Sequence, residues 1–505
     1  MQRLGKSASR LVRIRFCSSS SRRSLSQSAR ASTPTRVVAD GFLSEGVFDG
    51  TSSVVVRASG TTRTMLVYEP NLSPSVIAAA AERLRILVCN DGVNSVLIAS
   101  ANTAKGSGGL PIGTIDPPVY TDFDDSDIVD PPGDVFNGYD HAAVHQAGWH
   151  KDRGTMKELM EAVAALSTGL SRNELSKVPA ITLPHGMVND GGYGFCMGSY
   201  VLATDRTAFR IVNPSRGLSF DPVGFSFFLP RLGWEYGQPS ADFPGCGMIL
   251  ALTGFEADSS DMMETGLATN FVGSPLALKP LEYELSLLAP WCQQPLAKPK
   301  GRYFGQPPDP VDPSGRFRNV SAAQAVHYVT LYNATGTDSF RMREKDIPHG
   351  NDPSVDTDFI QWIDDRESDL VNFAATLDSV FQNANSVVAI EEGLAAVAGR
   401  DAKDSEEQQV VDVAQSLLDN MRRQSPLALH TIFRLMELGA KEGSTMEECI
   451  QREMTAQLNL FSSEDFDEWG RHNAGDGNSA AVPVSWKHDS LSDVSADEVA
   501  EILEL

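Results

Sequence analysis

Apolar residues between positions 53 and 101 follow strand-like and helical periods in turn. The β-branched run Val54–Val56 and the alternating segment Thr64–Tyr68 predict two strands. An alanine-rich segment from Ser73 predicts a helix, since Ser73 and Pro74 are typical of the cap and the first helical position. The apolar run Val96–Ala99 predicts a third strand. This stretch therefore predicts a strand-strand-helix-strand unit.

Downstream, the same two periods recur and then give way to helices alone. Helical spacing predicts a helix over Met156–Leu170, and the run Val178–Leu183 predicts a buried strand that leads into a glycine loop. Strands are also predicted at Tyr200–Ala203 and Phe209–Val212. Beyond residue 359 the pattern is that of acidic amphipathic helices, at 370–381, 387–398, 410–421 and 427–438. The chain is thus predicted to have an α/β core over residues 37–280 and a mostly helical C-terminal region over residues 359–505.

Two irregular segments interrupt this order. Residues 116–140 hold eight aspartates and several prolines. We interpret residues 116–150 as an acidic, solvated insertion in the core, because this composition buries too little apolar surface to order itself. Residues 281–358 are rich in proline and glycine between Lys298 and Gly315 and are interpreted as a connecting segment.

The first 36 residues have the composition of an organelle transit peptide. Nine Lys or Arg and no acidic residue precede Asp40, and serines are frequent. The sequence therefore predicts cleavage of this segment and residence in the mitochondrial matrix. The alternative is a disordered basic arm that binds nucleic acid.

The remaining composition narrows the class of protein. Acidic residues number 66 against 42 basic ones, a formal charge of −24, so we expect no direct contact with nucleic acid. No apolar run reaches the roughly 18 residues that a membrane span requires. The six cysteines are scattered, so we expect reduced, mostly buried thiols and no zinc site.

A glycine loop after the predicted strand Val178–Leu183 is the main candidate for chemistry. Gly191 and Gly192 follow His185 there and allow a backbone N–H group to approach a ligand oxygen near a helix N-terminus. Two such N–H groups would form an oxyanion hole for a thioester carbonyl, and Gly109 in a second glycine loop is the candidate for the other. Either loop could equally serve packing alone.

The order of these motifs resembles the crotonase superfamily, which comprises the enoyl-CoA hydratases and isomerases. Further segments resemble its 3-hydroxyisobutyryl-CoA hydrolase branch, namely residues 250–255, 266–272, 425–429, 465–471 and 486–487. The resemblance covers most of the chain from about Val54. It implies a crotonase-type spiral of ββα repeats with a mostly helical C-terminal region.

The same resemblance implies the site residues. It places the two N–H donors at Gly109 and Gly191, and a catalytic aspartate near Asp221. Ser215 stands where these hydrolases have a catalytic glutamate, so Ser215 and Asp221 are the predicted catalytic positions. The plainer alternatives are a loop hydroxyl and a turn residue. Asp190 precedes Gly191 in place of a glycine and is predicted to cap a helix, because its charge would oppose an oxyanion.

The implied function is hydrolysis of a short β-hydroxyacyl-CoA thioester, as in valine breakdown, with coenzyme A arriving as part of the substrate. The resemblance implies no metal or redox cofactor. Loss of the glutamate leaves a second hypothesis, a non-catalytic scaffold such as a protein of the mitochondrial ribosome. A third hypothesis is hydratase or isomerase chemistry on another acyl-CoA. A homo-oligomer is compatible with each.

Overall fold

The computed structural model describes residues 54–67, 71–72, 74–88, 92–100, 134–136, 138–171, 178–198, 200–232, 245–272, 278–286, 369–381, 384–473 and 484–505. The strands within these ranges are β1 (Val54–Ser59), β2 (Thr62–Val67), β3 (Asn71–Leu72), β4 (Ser95–Ser100), β5 (Asp134–Phe136), β6 (Gly138–Tyr139), β7 (Ala180–Leu183), β8 (Met187–Asn189), β9 (Tyr200–Ala203), β10 (Ala208–Arg210) and β11 (Asn270–Phe271). The helices are α1 (Pro74–Val88), α2 (His141–Gln146), α3 (Arg153–Ser171), α4 (Phe225–Phe228), α5 (Cys246–Thr253), α6 (Ser259–Thr265), α7 (Leu278–Ser286), α8 (Asp369–Thr376), α9 (Asp378–Phe381), α10 (Val387–Ala398), α11 (Ser405–Arg422), α12 (Pro426–Ala440), α13 (Met446–Leu460), α14 (Glu464–Asn473) and α15 (Ala496–Ile502).

The larger sheet has the strand order β1-β2-β4-β7-β9-β11, and only its β1–β2 pair is antiparallel. Every residue of β2, β4 and β7 is buried. Such strands have helices on both faces, which explains why their sequences form nearly continuous apolar runs. The strands predicted near Val54, Thr64, Val96 and Val178 are confirmed by this sheet.

A smaller parallel sheet, ordered β10-β8-β5, gives the fold its spiral character. In each of the consecutive pairs β4–β5, β7–β8 and β9–β10, the first strand joins the larger sheet and the second joins the smaller one. The chain therefore winds between two sheets in successive turns, as the predicted ββα spiral requires.

Side chains of β4 alternate between two hydrophobic cores. Val96 and Ile98 lie in the main core, which includes apolar residues of α1 and α3, whereas Leu97 and Ala99 lie in a smaller core under α7. This alternation follows from the two-residue period of a strand.

The C-terminal helices belong to the same main core. Gly439 of α12 lies so close to α4 that any side chain there would overlap the Ser226 carbonyl. Helix α13 also contacts α4 and α3. The predicted helical character of this region is confirmed, and its helices pack directly on the spiral.

The predicted solvated insertion, 116–150, is wrong at its C-terminal end. Strands β5 and β6 and helix α2 occupy this end, and Phe136 and Tyr139 are fully buried. The two aromatic side chains supply apolar burial, and parallel pairing of β5 with β8 and of β6 with β3 orders the backbone, although the segment is rich in aspartate. Residues 116–133 of this segment lie outside the described residues.

Other predictions fall partly outside the described ranges. The transit peptide does so entirely, and the connecting segment 281–358 starts within α7 and is otherwise beyond them. Cys196, Cys246 and Cys449 are buried and unpaired, as expected for reduced core thiols. None of the described helices combines the length and apolar character that crossing a bilayer requires.

Candidate functional site

Asp221 lies in the loop that precedes α4, and its side chain is completely buried. Its Oδ1 accepts hydrogen bonds from the Tyr139 hydroxyl at 2.8 Å and the Gln457 amide at 2.9 Å. Its Oδ2 accepts one from the Gly191 backbone N–H at 2.8 Å. Three separate parts of the chain, β6, α13 and the glycine loop, therefore converge on one carboxyl group.

Opposing effects set the proton affinity of Asp221. Burial, and next the negative charge of Asp190, raise its pKa, whereas the Tyr139 and Gly191 donors and the Arg216 charge lower it, leaving a pKa of about 6. Burial raises the pKa of Tyr139 well above its ordinary value, so its hydroxyl remains a donor. A carboxyl with this proton affinity can exchange a proton near neutral pH.

Asp190 is the second buried carboxyl of the site, with a left-handed backbone (φ +43°). Its Oδ1 accepts the N–H groups of Val212 at 2.8 Å and Asn213 at 3.0 Å, and its Oδ2 contacts Arg216 Nη1 at 2.9 Å. Burial raises the pKa of Asp190, and the Arg216 charge opposes that rise. All of these partners are donors, and each favours the ionised carboxyl against the burial that raises its pKa.

Asp190 does cap a helix, but not the one that the sequence predicted. Asn189 occupies the cap position of the 3₁₀-helix that contains Asp190 (Asp190–Cys196), and it makes no side-chain capping bond. Asp190 Oδ1 instead accepts the N–H groups of Val212 and Asn213, which are the cap and the first residue of the next 3₁₀-helix, Asn213–Arg216. The carboxylate thus satisfies two backbone donors at the start of that helix and joins the two loops.

Arg216 links Asp190 to a neutral histidine. Its Nη1 also lies 3.0 Å from Asn213 Oδ1 and 3.3 Å from His141 Nδ1. Burial, with the Arg216 charge, lowers the pKa of His141 well below its ordinary value. The His141 ring packs on Tyr139 with ring centroids 4.3 Å apart.

Gly191 is required by the close approach of Asp221. A Cβ atom at position 191 would lie 2.6 Å from Asp221 Oδ2. Gly192, the other glycine of the predicted oxyanion loop, is buried in the same 3₁₀-helix, where its backbone packs against Gly138 of β6. Gly109 lies outside the described residues, so its convergence with Gly191 stays a prediction.

The structure separates the two predicted catalytic residues. Ser215 is exposed, and its hydroxyl donates to the Val212 carbonyl at 2.7 Å. Within the described chain the hydrogen-bond partners of Asp221 are other groups. Ser215 thus occupies the place of the glutamate as a local turn hydroxyl, whereas Asp221 lies at the centre of the buried cluster.

Tyr139, Arg216 and Gln457 are members of the cluster that sequence reasoning missed. Tyr139 was hidden in the acidic segment, and Gln457 lies 236 residues from Asp221 with no motif around it. Arg216 directly follows Ser215, and an arginine between two candidate acids, Asp190 and Asp221, was the one signal available.

A separate group of His145, His150 and Asp467 has ligand atoms within 4.8 Å of one another. The two imidazole rings are stacked, with centroids 4.6 Å apart and planes 5° from parallel. Stacked rings direct their nitrogen lone pairs in parallel rather than towards a common ion, and His150 Nε2 is already 2.9 Å from Asp467 Oδ1. This arrangement is that of a histidine–carboxylate hydrogen bond, and the expected absence of a metal stays a prediction.

The sequence matches the Enoyl-CoA hydratase/isomerase family over residues 137–324 and 341–503. It is 36% identical over 99 residues to the mitochondrial 3-hydroxyisobutyryl-CoA hydrolase of Gallus gallus, covering 19% of this chain and 23% of that protein. It is 36% identical over 97 residues to the protein of the same name in Homo sapiens, covering 19% and 22%. The aligned part is therefore about a quarter of each curated relative or less.

Solved structures show the fold independently. An enoyl-CoA hydratase from Rhodobacter sphaeroides superposes with a TM-score of 0.54 at 16% identity, covering 90% of this chain and 97% of that one. A carnitinyl-CoA dehydratase from Mycobacterium thermoresistibile gives a TM-score of 0.54 at 17% identity, covering 90% and 96%. The crotonase-type fold predicted from the sequence is confirmed.

Proposed function

Because the chain belongs to the Enoyl-CoA hydratase/isomerase family, we propose that it hydrolyses a short β-hydroxyacyl-CoA thioester of the 3-hydroxyisobutyryl-CoA type. The observation that carries this proposal is the placement of Asp221. A buried carboxyl with a pKa of about 6 lies against the N–H group that the family resemblance assigns to the oxyanion hole. The curated relatives with this alignment are named for that reaction.

In the proposed reaction Asp221 is the general base. At neutral pH a carboxyl with a pKa of about 6 is mostly ionised, yet close enough to neutrality to accept a proton efficiently. Asp221 takes a proton from water as the water oxygen bonds to the acyl carbon. The tetrahedral intermediate then collapses, the carbon–sulfur bond breaks, and the proton passes from Asp221 to the coenzyme A thiolate.

The hydrogen bond between Gly191 and Asp221 couples binding of the thioester oxygen to release of the base. As long as Gly191 donates to Asp221 Oδ2, neither the N–H group nor that oxygen is free. A thioester oxygen that takes the Gly191 donor releases Oδ2 for the attacking water. Oδ1 meanwhile stays bound to Tyr139 and Gln457, so the carboxyl keeps its position.

The test is release of coenzyme A thiol from 3-hydroxyisobutyryl-CoA by purified protein. Removing a general base typically costs about 10²- to 10⁴-fold in rate, so Asp221→Asn should lose activity on this scale. Asp401→Asn, the same change at an exposed aspartate, is the matched control and should keep the wild-type rate. Equal rates for wild type and Asp221→Asn would refute the role of Asp221.

A non-catalytic scaffold is the second candidate, and two observations favour it. The Gly191 donor is occupied by the chain's own carboxylate, and the glutamate of the hydrolases is replaced by the exposed Ser215. This candidate predicts no turnover of acyl-CoA, together with co-sedimentation of native protein with mitochondrial ribosomes. Turnover by wild type that depends on Asp221 would exclude it.

We also propose a mitochondrial matrix location. The basic, serine-rich segment before Asp40 supports it, as does the word mitochondrial in the names of the relatives from Gallus gallus and Homo sapiens. A fluorescent fusion carrying residues 1–40 should enter mitochondria. A diffuse cytosolic signal would contradict the proposal.

A further inference from the structure

Helix α13 presents two fully buried polar side chains to the loop that carries Asp221. Glu453 and Gln457 are four residues apart and both are 0% exposed. This spacing places them on the same face of the helix, one turn apart. Burial of two polar groups on one face requires that each find hydrogen-bond partners.

Gln457 is bonded on both ends of its amide. Its Oε1 accepts the backbone N–H of Ser219 at 3.0 Å, and its Nε2 donates to Asp221 Oδ1 at 2.9 Å. A backbone N–H can only donate, so the amide oxygen must face Ser219. The amide NH₂ is then forced towards Asp221, which settles the orientation independently of the usual ambiguity between amide oxygen and nitrogen.

Glu453 holds the other end of the same loop. Its carboxylate accepts the N–H groups of Gly224 at 2.7 Å and Ser226 at 2.6 Å, and the Ser226 hydroxyl at 2.7 Å. Burial raises the pKa of Glu453 to about 7 against the effect of these donors. Residues 219–226 are thus fixed from both ends by one helix of the C-terminal region.

From these contacts we infer that Gln457 is a positioning residue for Asp221: its amide orients the carboxyl and favours the ionised form. The inference rests on the proposed function for its catalytic consequence, although not for the hydrogen bond itself. A neutral donor suits this task, because a cation would neutralise the base and an acceptor would repel it. The C-terminal helices then tune the chemistry of the site in addition to packing on the core.

Several groups besides Gln457 act on Asp221 and must be kept constant in a test. They are Tyr139 on β6, the Gly191 N–H group, Asp190 and Arg216 in the adjoining 3₁₀-helices, and Glu453 on α13. Substitutions confined to position 457 leave all of them in place. Gln457→Leu removes the donor without adding charge, and Gln457→Glu keeps the acceptor for Ser219 while replacing the donor with an acceptor.

The experiment measures Asp221 twice, by the acid limb of kcat/KM and by the carboxyl chemical shift in protein labelled with ¹³C-aspartate. Asp221→Asn assigns the signal. A hydrogen bond to a charged group is worth enough to move a pKa by about one unit, so Gln457→Leu should raise both values by roughly that amount. At pH values on the acid limb, the rate of Gln457→Leu should be about tenfold lower than that of wild type. On the alkaline plateau the two rates should be similar. Gln457→Glu should shift both further in the same direction.

Gln451→Leu, the same change at an exposed position of α13, is the control and should shift neither value. If Gln457→Leu fails to fold, Gln457→Glu supplies the same comparison. An unchanged Asp221 titration in the folded variants overturns the inference, as does a rate loss that is equal at every pH. A shifted titration in a protein that hydrolyses no thioester supports the inference and counts against the proposed function alone.

Discussion

The loops around Asp190 and Asp221 each bury one carboxyl completely, yet they stabilise it differently. The Asp190 carboxyl forms an ion pair with Arg216 and accepts hydrogen bonds from two backbone N–H groups. Among the described residues, the hydrogen-bond donors to Asp221 are neutral: a tyrosine, a glutamine and the Gly191 N–H group. The first arrangement pairs the carboxyl with a cation and joins two loops, whereas the second surrounds the carboxyl with uncharged donors and leaves it a pKa of about 6. Two equally buried carboxyls thus differ in the charge of their hydrogen-bond partners.

The largest expected effect comes from removing the cation that distinguishes the Asp190 loop. Arg216→Met leaves the Asp190 charge buried without its partner, which typically costs about 3–5 kcal/mol in the free energy of unfolding. Urea denaturation at pH 7 measures this cost. Arg400→Met, at an exposed arginine, should change the free energy little.

The pH dependence of this variant tests the comparison further. Without Arg216, the folded-state pKa of Asp190 should rise, so the variant should recover stability as the pH falls and Asp190 becomes protonated. A loss of stability that is the same at pH 5 and pH 7 would mean that Arg216 does not hold Asp190 ionised.

The Asp221 loop should show the opposite of a salt-bridged carboxylate in its pH dependence. Its pKa rises from an ordinary 3.8 to about 6 on folding, so its contribution to stability is fully present below pH 4 and lost as the pH rises through 6. The change is on the order of 3 kcal/mol. In Asp221→Asn the free energy of unfolding should therefore decline less between pH 4 and pH 6.

Glu453 provides the control for that measurement, because burial raises its pKa from 4.5 to about 7. Glu453→Gln should flatten the decline between pH 5 and pH 7 instead. If Asp221→Asn and wild type have parallel stability curves from pH 4 to pH 6, then Asp221 has an ordinary proton affinity and the contrast with Asp190 fails.

The strands were predictable from the sequence, whereas the partners of Asp221 were not. Runs such as Val178–Leu183 are apolar because both faces of a central parallel strand are covered, and that constraint acts on consecutive residues. Asp221 and Gly191 could be proposed through a family resemblance that is carried by local motifs. Gln457 and Tyr139 reach the site only through tertiary packing, and neither has a local pattern that differs from an ordinary core residue.

The acidic segment shows a second limit of sequence reasoning. Its aspartate content is an average over the segment, but ordering depends on where the few apolar residues fall. Phe136 and Tyr139 are two of those residues, and both are completely buried next to strand pairings. Composition over a window therefore missed the residues on which the site depends.

A moderate effect is expected at the contact between the two loops. Gly191→Ala places a Cβ 2.6 Å from Asp221 Oδ2, so the carboxyl must move and the hydrogen bond from residue 191 must lengthen. Overpacking of this kind typically costs about 1–3 kcal/mol. Calorimetric unfolding measures the cost, and the acid limb of the rate profile should shift upward with the weakened donor.

Gly169→Ala is the matched control in α3, since a Cβ there meets no atom within 4 Å. Replacing a helical glycine by alanine at a compatible site should stabilise the protein by about 0.4–1 kcal/mol. Equal destabilisation by both substitutions would show that the Gly191 contact with Asp221 has no special effect.

The smallest effect is expected at Ser215, the other predicted catalytic position. Its exposed hydroxyl makes a local bond to the Val212 carbonyl, so Ser215→Ala should cost no more than about 1 kcal/mol in stability and leave thioester hydrolysis unchanged. A large loss of rate would instead make this hydroxyl part of the reaction. Ser215→Glu restores the carboxylate that the hydrolases have at this position, and it should raise the rate if that carboxylate can reach the substrate from the exposed 3₁₀-helix. Both variants remove the Ser215 hydroxyl, but only Ser215→Glu adds a carboxylate. A rate that rises in Ser215→Glu and is unchanged in Ser215→Ala would therefore be due to the added carboxylate and not to loss of the hydroxyl.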